Sequence, residues 1–247
     1  MKYWFLIICF EVSAFFALAQ PENNPVSAIL QLAGDQMGVM VQKEAGDLPF
    51  SLLHGRRFQA QHPFVKGSPF WFQGVWVNGN IQTRYYTYFN QPVQYDARED
   101  ALVYYPDSLS LEMVKINPED MVAFSVSDVV FIYLGNGPEK KEMEKVRLSP
   151  GYFELFYQGK TTLLAKRTKT LLVAHDSRDS YGSFAARTRW YILNDGIFYP
   201  AENKAGILSL FPTHKPEAKA YWRTNQTGNW KRNPQLLADF LAYCDQL

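Results

Sequence analysis

From about residue 56 to residue 200 the chain alternates between short apolar runs and clusters of turn-forming residues. In Val122-Ala123-Phe124-Ser125-Val126, residues 122, 124 and 126 fall on one face of an extended chain. The same reading predicts strands at Ile81–Phe89, Val93–Tyr95, Ala101–Tyr105, Leu109–Ile116, Met121–Val126, Val129–Leu134, Tyr152–Tyr157, Thr161–Lys166 and Leu171–His175. Two dipeptides carry a hairpin signal, because Asn, Asp and Gly tolerate the positive φ of a type I′ turn. They are Asn78-Gly79, between Val75-Trp76-Val77 and Asn80-Ile81-Gln82, and Asp195-Gly196, between Tyr191–Asn194 and Ile197–Tyr199. Connections this short imply antiparallel neighbours, since parallel pairs need long crossovers.

Outside this region the period becomes helical. Val26, Ile29, Leu30 and Ala33 follow Asn24-Pro25 and predict a short helix ending near Gly34. After Pro200, Ile207, Leu208, Leu210 and Phe211 form a short apolar helical turn closed by Pro212. Pro216-Glu217 opens a second helix, and Asn233-Pro234 a third that carries Leu236, Leu237, Phe240, Leu241 and Cys244 on one stripe. That stripe should pack on the sheet or cover its open edge. The fold class is therefore mainly β with C-terminal helices (β+α). The sheet is expected to be an antiparallel meander or a partly open barrel or sandwich, covered by two or three helices.

The first residues have a different character. Lys2 precedes an apolar run that ends in Ala17-Leu18-Ala19 before Gln20, the layout of a secretory signal peptide, although Glu11 interrupts the run. Residues 1–19 are read as that leader, and 20–247 as a single β-rich domain whose helical segment spans about 203–247. The expected location is across the inner membrane, in the periplasm or at the cell surface. No later stretch is long and apolar enough for a transmembrane helix. Beyond the leader only Cys244 remains, so no internal disulfide can form and stability rests on the core. A composition that is 47% apolar and 16% aromatic is ample for that.

A formal net charge of +1 offers no general field for nucleic acid. The densest polar cluster, residues 175–183, holds His175, Asp176 and Arg178, and suggests a ligand-binding loop or a hydrolase site. No G-x-S-x-G motif surrounds any serine, so no catalytic residue is assigned. His54 and His62 flank Arg56-Arg57 without companions at ligand spacing, so no metal site or cofactor is assigned either. Residues 135–147 read as a hairpin loop whose lysines are neutralised by Glu139, Glu142 and Glu144. Aromatic density is the other candidate: Trp71, Trp76, Tyr86 and Tyr88 could present an exposed face for a glycan, a lipid or another envelope protein. An outer-membrane β-barrel is a further alternative, although several strands are short for one and the chain ends in an amphipathic helix.

Gly67-Ser68-Pro69-Phe70-Trp71, Trp76–Ile81, Val93-Gln94-Tyr95-Asp96, Asp100–Val103 and Tyr152–Gly159 together resemble a family of secreted bacterial proteins of unknown function. The resemblance extends over roughly residues 50–247 and takes in Trp190–Leu193, Tyr199-Pro200 and the paired helices. It implies a β-meander followed by helices. Its motifs are structural rather than chemical, so it brings no catalytic residue with it. The functional expectation is a secreted, non-catalytic binding or assembly module.

Overall fold

The computed structural model describes residues 55–58, 65–72, 76–84, 86–105, 113–173 and 182–247. The leader, the helix expected after Asn24-Pro25, His54 and His62, and the loop residues His175, Asp176 and Arg178 lie outside the described residues.

Twelve strands form one large, unclosed sheet. They are β1 (Arg56–Phe58), β2 (Val65–Lys66), β3 (Val77–Thr83), β4 (Thr87–Asp96), β5 (Ala101–Tyr104), β6 (Met113–Lys115), β7 (Met121–Val126), β8 (Val129–Leu134), β9 (Gly151–Gln158), β10 (Thr161–Val173), β11 (Gly182–Asn194) and β12 (Ile197–Pro200). The spatial order is β1-β6-β5-β4-β3-β7-β8-β9-β10-β11-β12, with β2 paired to β11 off that path. All neighbours are antiparallel except β2 and β11. Among the described residues, four short α-helices accompany the sheet: α1 (Lys140–Lys145), α2 (Lys204–Ser209), α3 (Lys215–Thr224) and α4 (Gln235–Cys244). The β+α class and its antiparallel sheet are as the sequence pattern indicates.

Several local readings need correction. Asn78-Gly79 is not a turn but lies inside β3. The chain instead reverses between Thr83 and Tyr86, where Thr83 N donates to Tyr86 O at 2.8 Å. The strand expected over residues 81–89 is thus two strands and a turn. The segments expected at 161–166 and 171–175 are parts of one thirteen-residue strand, β10, and β11 opposite it is equally long. The charged segment after Gly135 contains α1, which buries Met143 in the core. The Asp195-Gly196 turn is confirmed: both residues have positive φ, 50° and 78°, and Leu193 pairs with Phe198.

Three apolar clusters hold the sheet. Tyr95, Phe124, Phe131 and Tyr152 centre the first, where the Phe124 and Phe131 rings stack at 4.8 Å. The second lies on the other face of β7 and β8, with Ile132, Phe153 and Leu164 packed against Met143 of α1. The third joins Leu163 and Ile192 to α2, α3 and α4 through Trp222, Trp230, Leu237 and Phe240. The apolar stripe of α4 therefore packs on β9 and β10. Asp245, just beyond α4, locks it there by accepting from Tyr157 Oη at 2.9 Å and from Thr161 N at 2.9 Å.

The long β10–β11 hairpin also binds the opposite part of the sheet. Where β9 ends, the turn after β4 takes its place beside β10, and Lys169 N donates to Ala97 O at 2.9 Å. Lys169 Nζ donates to Ser68 O at 2.9 Å and to Phe70 O. Below these contacts lies a buried ionic knot. Lys166 Nζ meets Asp100 Oδ2 at 2.5 Å and Tyr152 O at 3.1 Å, while Tyr95 Oη donates to Asp100 Oδ1 at 2.6 Å. Burial lowers the Lys166 pKa from the usual ammonium value, and the adjacent Asp100 opposes that shift.

Burial raises the phenol pKa values of Tyr95, Tyr104, Tyr133, Tyr152, Tyr157 and Tyr221 above the ordinary value. Above about pH 10 the unfolded chain releases phenolic protons that the folded chain keeps, so stability is lost as pH climbs. The lowered pKa values of Lys166 and Lys169 act with the opposite sign, over a window ending near about 10.4. With six phenols against two ammonium groups, the urea midpoint is expected to fall above pH 10. A urea midpoint that held steady or rose above pH 10 would contradict this reading.

Candidate functional site

The four aromatic candidates do not form one face. Tyr88 is 4% exposed and belongs to the first core cluster. Tyr86 sits at the turn before β4 and is 52% exposed, its ring centroid 6.2 Å from that of Tyr88. Trp76 is half-buried and stacks on Tyr105 at 5.2 Å. Trp71, also half-buried, lies 4.8 Å from the guanidinium of Arg167. Nor do the C-terminal helices cover these residues, because their apolar sides are used on Leu163, Ile192 and Trp190.

A concave feature lies elsewhere, along β11. A cleft of about 860 Å³ is floored by residues 187–191 and walled by residues 146–147, 200–203 and 230–231. Its position follows from the lengths of the strands. β12 is only four residues long and pairs with β11 from Asn194 back to Tyr191. One more backbone bond, from Ala201 N to Trp190 O at 2.9 Å, ends that ladder. β2 meets the far end of β11 at Gly182 and Ser183. Among the described residues, nothing pairs with the six residues between, Phe184–Arg189, on the side away from β10.

Cations dominate the lining. Arg187 and Arg189 stand two positions apart and so project from the same face of β11. Arg147 follows α1 in a left-handed conformation, φ 55°, and reaches the cleft from that loop. Lys231 joins from the segment after the buried Trp230, its ammonium 5.7 Å from that ring. Glu202 is the one carboxylate in the lining, which leaves an excess of three positive charges. The whole chain carries a net +1, so the cleft concentrates charge that the rest of the molecule balances. Two ion pairs lie at the surface elsewhere: Lys115 with Glu99 at 3.0 Å and Lys145 with Glu142 at 2.5 Å. All four cleft cations are exposed, and among the described residues none forms an ion pair.

A rigid wall supports this surface. Arg167, on β10, donates through Nε to Glu154 Oε2 at 2.5 Å and through Nη1 to Thr188 Oγ1 at 2.6 Å. Its guanidinium also lies 5.4 Å from Trp190 and 5.6 Å from Phe156. Trp190 packs edge-on against Phe156 at 4.6 Å and against Trp230 at 6.1 Å. Both cleft tryptophans are thus committed to packing, and the groups left to meet a ligand are mainly guanidinium and ammonium. Guanidinium forks match carboxylate, phosphate and sulfate oxygens. Among the described residues no three His, Cys, Asp or Glu side chains converge as a metal site would require.

The sequence carried part of this signal. Arg187-Thr188-Arg189 inside an extended run places two cations on one strand face. Arg147 and Lys231 come from distant segments and only the fold brings them in. No family model, curated protein or solved structure matches this chain. Among the described residues, no helix is long and apolar enough to cross a membrane.

Proposed function

We propose that this protein is a secreted, non-catalytic binding module whose ligand is anionic and docks in the cleft along β11. The observation that carries the reading is the set of four exposed cations, Arg147, Arg187, Arg189 and Lys231, facing one cleft with no ion pair among the described residues. A cation kept unpaired in a concave site gains its counter-charge from whatever binds there. The leader-like first nineteen residues support an extracytoplasmic setting, periplasmic or at the cell surface. There the candidate ligands are acidic polypeptides, anionic glycans and lipid headgroups.

The reading is tested by titrating the chain with polyglutamate, polylysine, sulfated dextran and neutral dextran. Anionic probes should bind, and bind more weakly as salt rises, because exposed charges are screened beyond about 8–10 Å at moderate ionic strength. Preference for polylysine or neutral dextran would refute it.

A further inference from the structure

Resting on that reading of the cleft, we propose that its ligand is an extended acidic polypeptide segment that adds to the sheet as a strand along the open edge of β11. Three features of the edge support this inference. Its stretch left unpaired among the described residues, Phe184–Arg189, spans about 20 Å at about 3.3 Å per residue, room for a strand between β12 and β2. The backbone groups there are aimed outward. Trp190 O accepts from Ala201 N on the open side, whereas Arg187 O accepts from Thr168 Oγ1 of β10 at 3.3 Å. Ladder alternation therefore turns the N–H and C=O of Ala186 and Thr188 toward the open side. Main-chain pairing of this kind is how sheet edges recognise extended peptides.

The side chains then specify the partner. Arg187 and Arg189 occupy one face of β11, and Thr188 and Trp190 the other. A strand laid alongside would set alternate residues opposite the two arginines, and carboxylates there form favourable cross-strand pairs. Its intervening residues would meet Thr188 and the Trp190 wall, so they are best apolar or β-branched. The fitting segment alternates acidic with apolar residues. A phosphate or a lipid headgroup could satisfy the arginines but would leave the outward amides unused.

Arginines on an edge strand also guard against self-association, and the experiment separates the two roles. The chain is titrated with a short capped peptide alternating Glu and Val, a peptide of the same composition with its glutamates in one block, a Lys-for-Glu analogue and inorganic phosphate. Amide hydrogen exchange is followed residue by residue. The alternating peptide should bind best, should slow exchange at Ala186 and Thr188 by about tenfold or more, and should bind about tenfold more weakly to Arg187→Ala/Arg189→Ala. Exchange in β8 and β9 should be unchanged in that variant, showing that the fold survives.

Equal binding of the two acidic peptides without slowing at Ala186 and Thr188 would overturn strand addition while leaving an anion-binding cleft. Phosphate binding without peptide binding would overturn the peptide assignment in the same way. Failure of every anionic probe would overturn both readings. If the double variant also self-associated, the arginines would be assigned as edge guards.

Discussion

Replacing Asp100 with alanine is expected to cost about 3 kcal/mol of folding stability, a large effect for a residue at a hairpin turn. The reason is what the carboxylate serves. It accepts from Lys166 Nζ at 2.5 Å and from Tyr95 Oη at 2.6 Å, and Tyr152 N approaches both of its oxygens at 3.3–3.4 Å. Removing one partner of a buried ion pair costs about 3–5 kcal/mol, because the other charge stays buried without compensation. The lower end applies because the Asp100 side chain keeps 25% exposure, against 10% for Lys166. Asp100 also adopts a positive φ of 52°, a conformation Asp tolerates better than Ala.

Urea denaturation of Asp100→Ala, Lys166→Met and the double variant forms the cycle that isolates the pair. The double variant should lose clearly less than the sum of the singles, since it leaves no orphan charge. A loss below about 1 kcal/mol for Asp100→Ala would show that the knot does not hold β4–β5 to β9–β10.

Gly79→Ala is the second large effect. A Cβ at residue 79 would fall 1.9 Å from the backbone oxygen of Ser125 and 2.9 Å from Val93 Cγ2. The obstructing atom is main chain of β7, so a side-chain rotation cannot relieve the clash. Here β3 is irregular: its register with β4 shifts between Gly79 and Ile81, Asn80 N donates to Ser125 Oγ at 3.2 Å, and Asn80 Oδ1 accepts from Asn90 N at 3.0 Å. The substitution should cost about 3 kcal/mol, the upper end of typical overpacking penalties, and should speed exchange of amides in β3 and β7. If Gly79 were a hairpin-turn residue at the surface, alanine there would leave the β7 amides protected, and that result would contradict the structure.

That glycine also shows where local sequence stops being informative. Asn78-Gly79 and Asp195-Gly196 look alike as dipeptides between apolar runs. Only the second turns, with both residues at positive φ, whereas Gly79 is needed so that β3 can approach β7. The difference lies in a neighbouring strand more than forty residues away. Strands β7 and β8 were legible because their alternation is regular and Ser127, at φ 53°, turns between them. The length of β10 was not, since Lys166, Arg167 and Lys169 break the apolar run. Their burial becomes acceptable only once Asp100, Glu154 and the Ser68 and Phe70 carbonyls are in place. The helix α1 buries one residue, Met143, and a single inward position gives no period to detect.

The candidate site divides in the same way. Of the aromatic residues singled out by density, Tyr88 was drawn into the core, Trp71 and Trp76 are half-buried against neighbours, and Tyr86 stays exposed. The significance of the exposed cations appears only when Arg147 and Lys231 are seen to converge on Arg187 and Arg189.

The most direct measurement is a charge swap. Wild-type protein and Arg187→Glu/Arg189→Glu are each titrated with an acidic peptide and with its Lys-for-Glu analogue, at equal salt. The cleft account predicts that wild type prefers the acidic peptide and that the double variant prefers the basic one, because like charges across the edge repel while opposite charges pair. An unchanged preference in the variant would contradict the assignment of this cleft as the binding site.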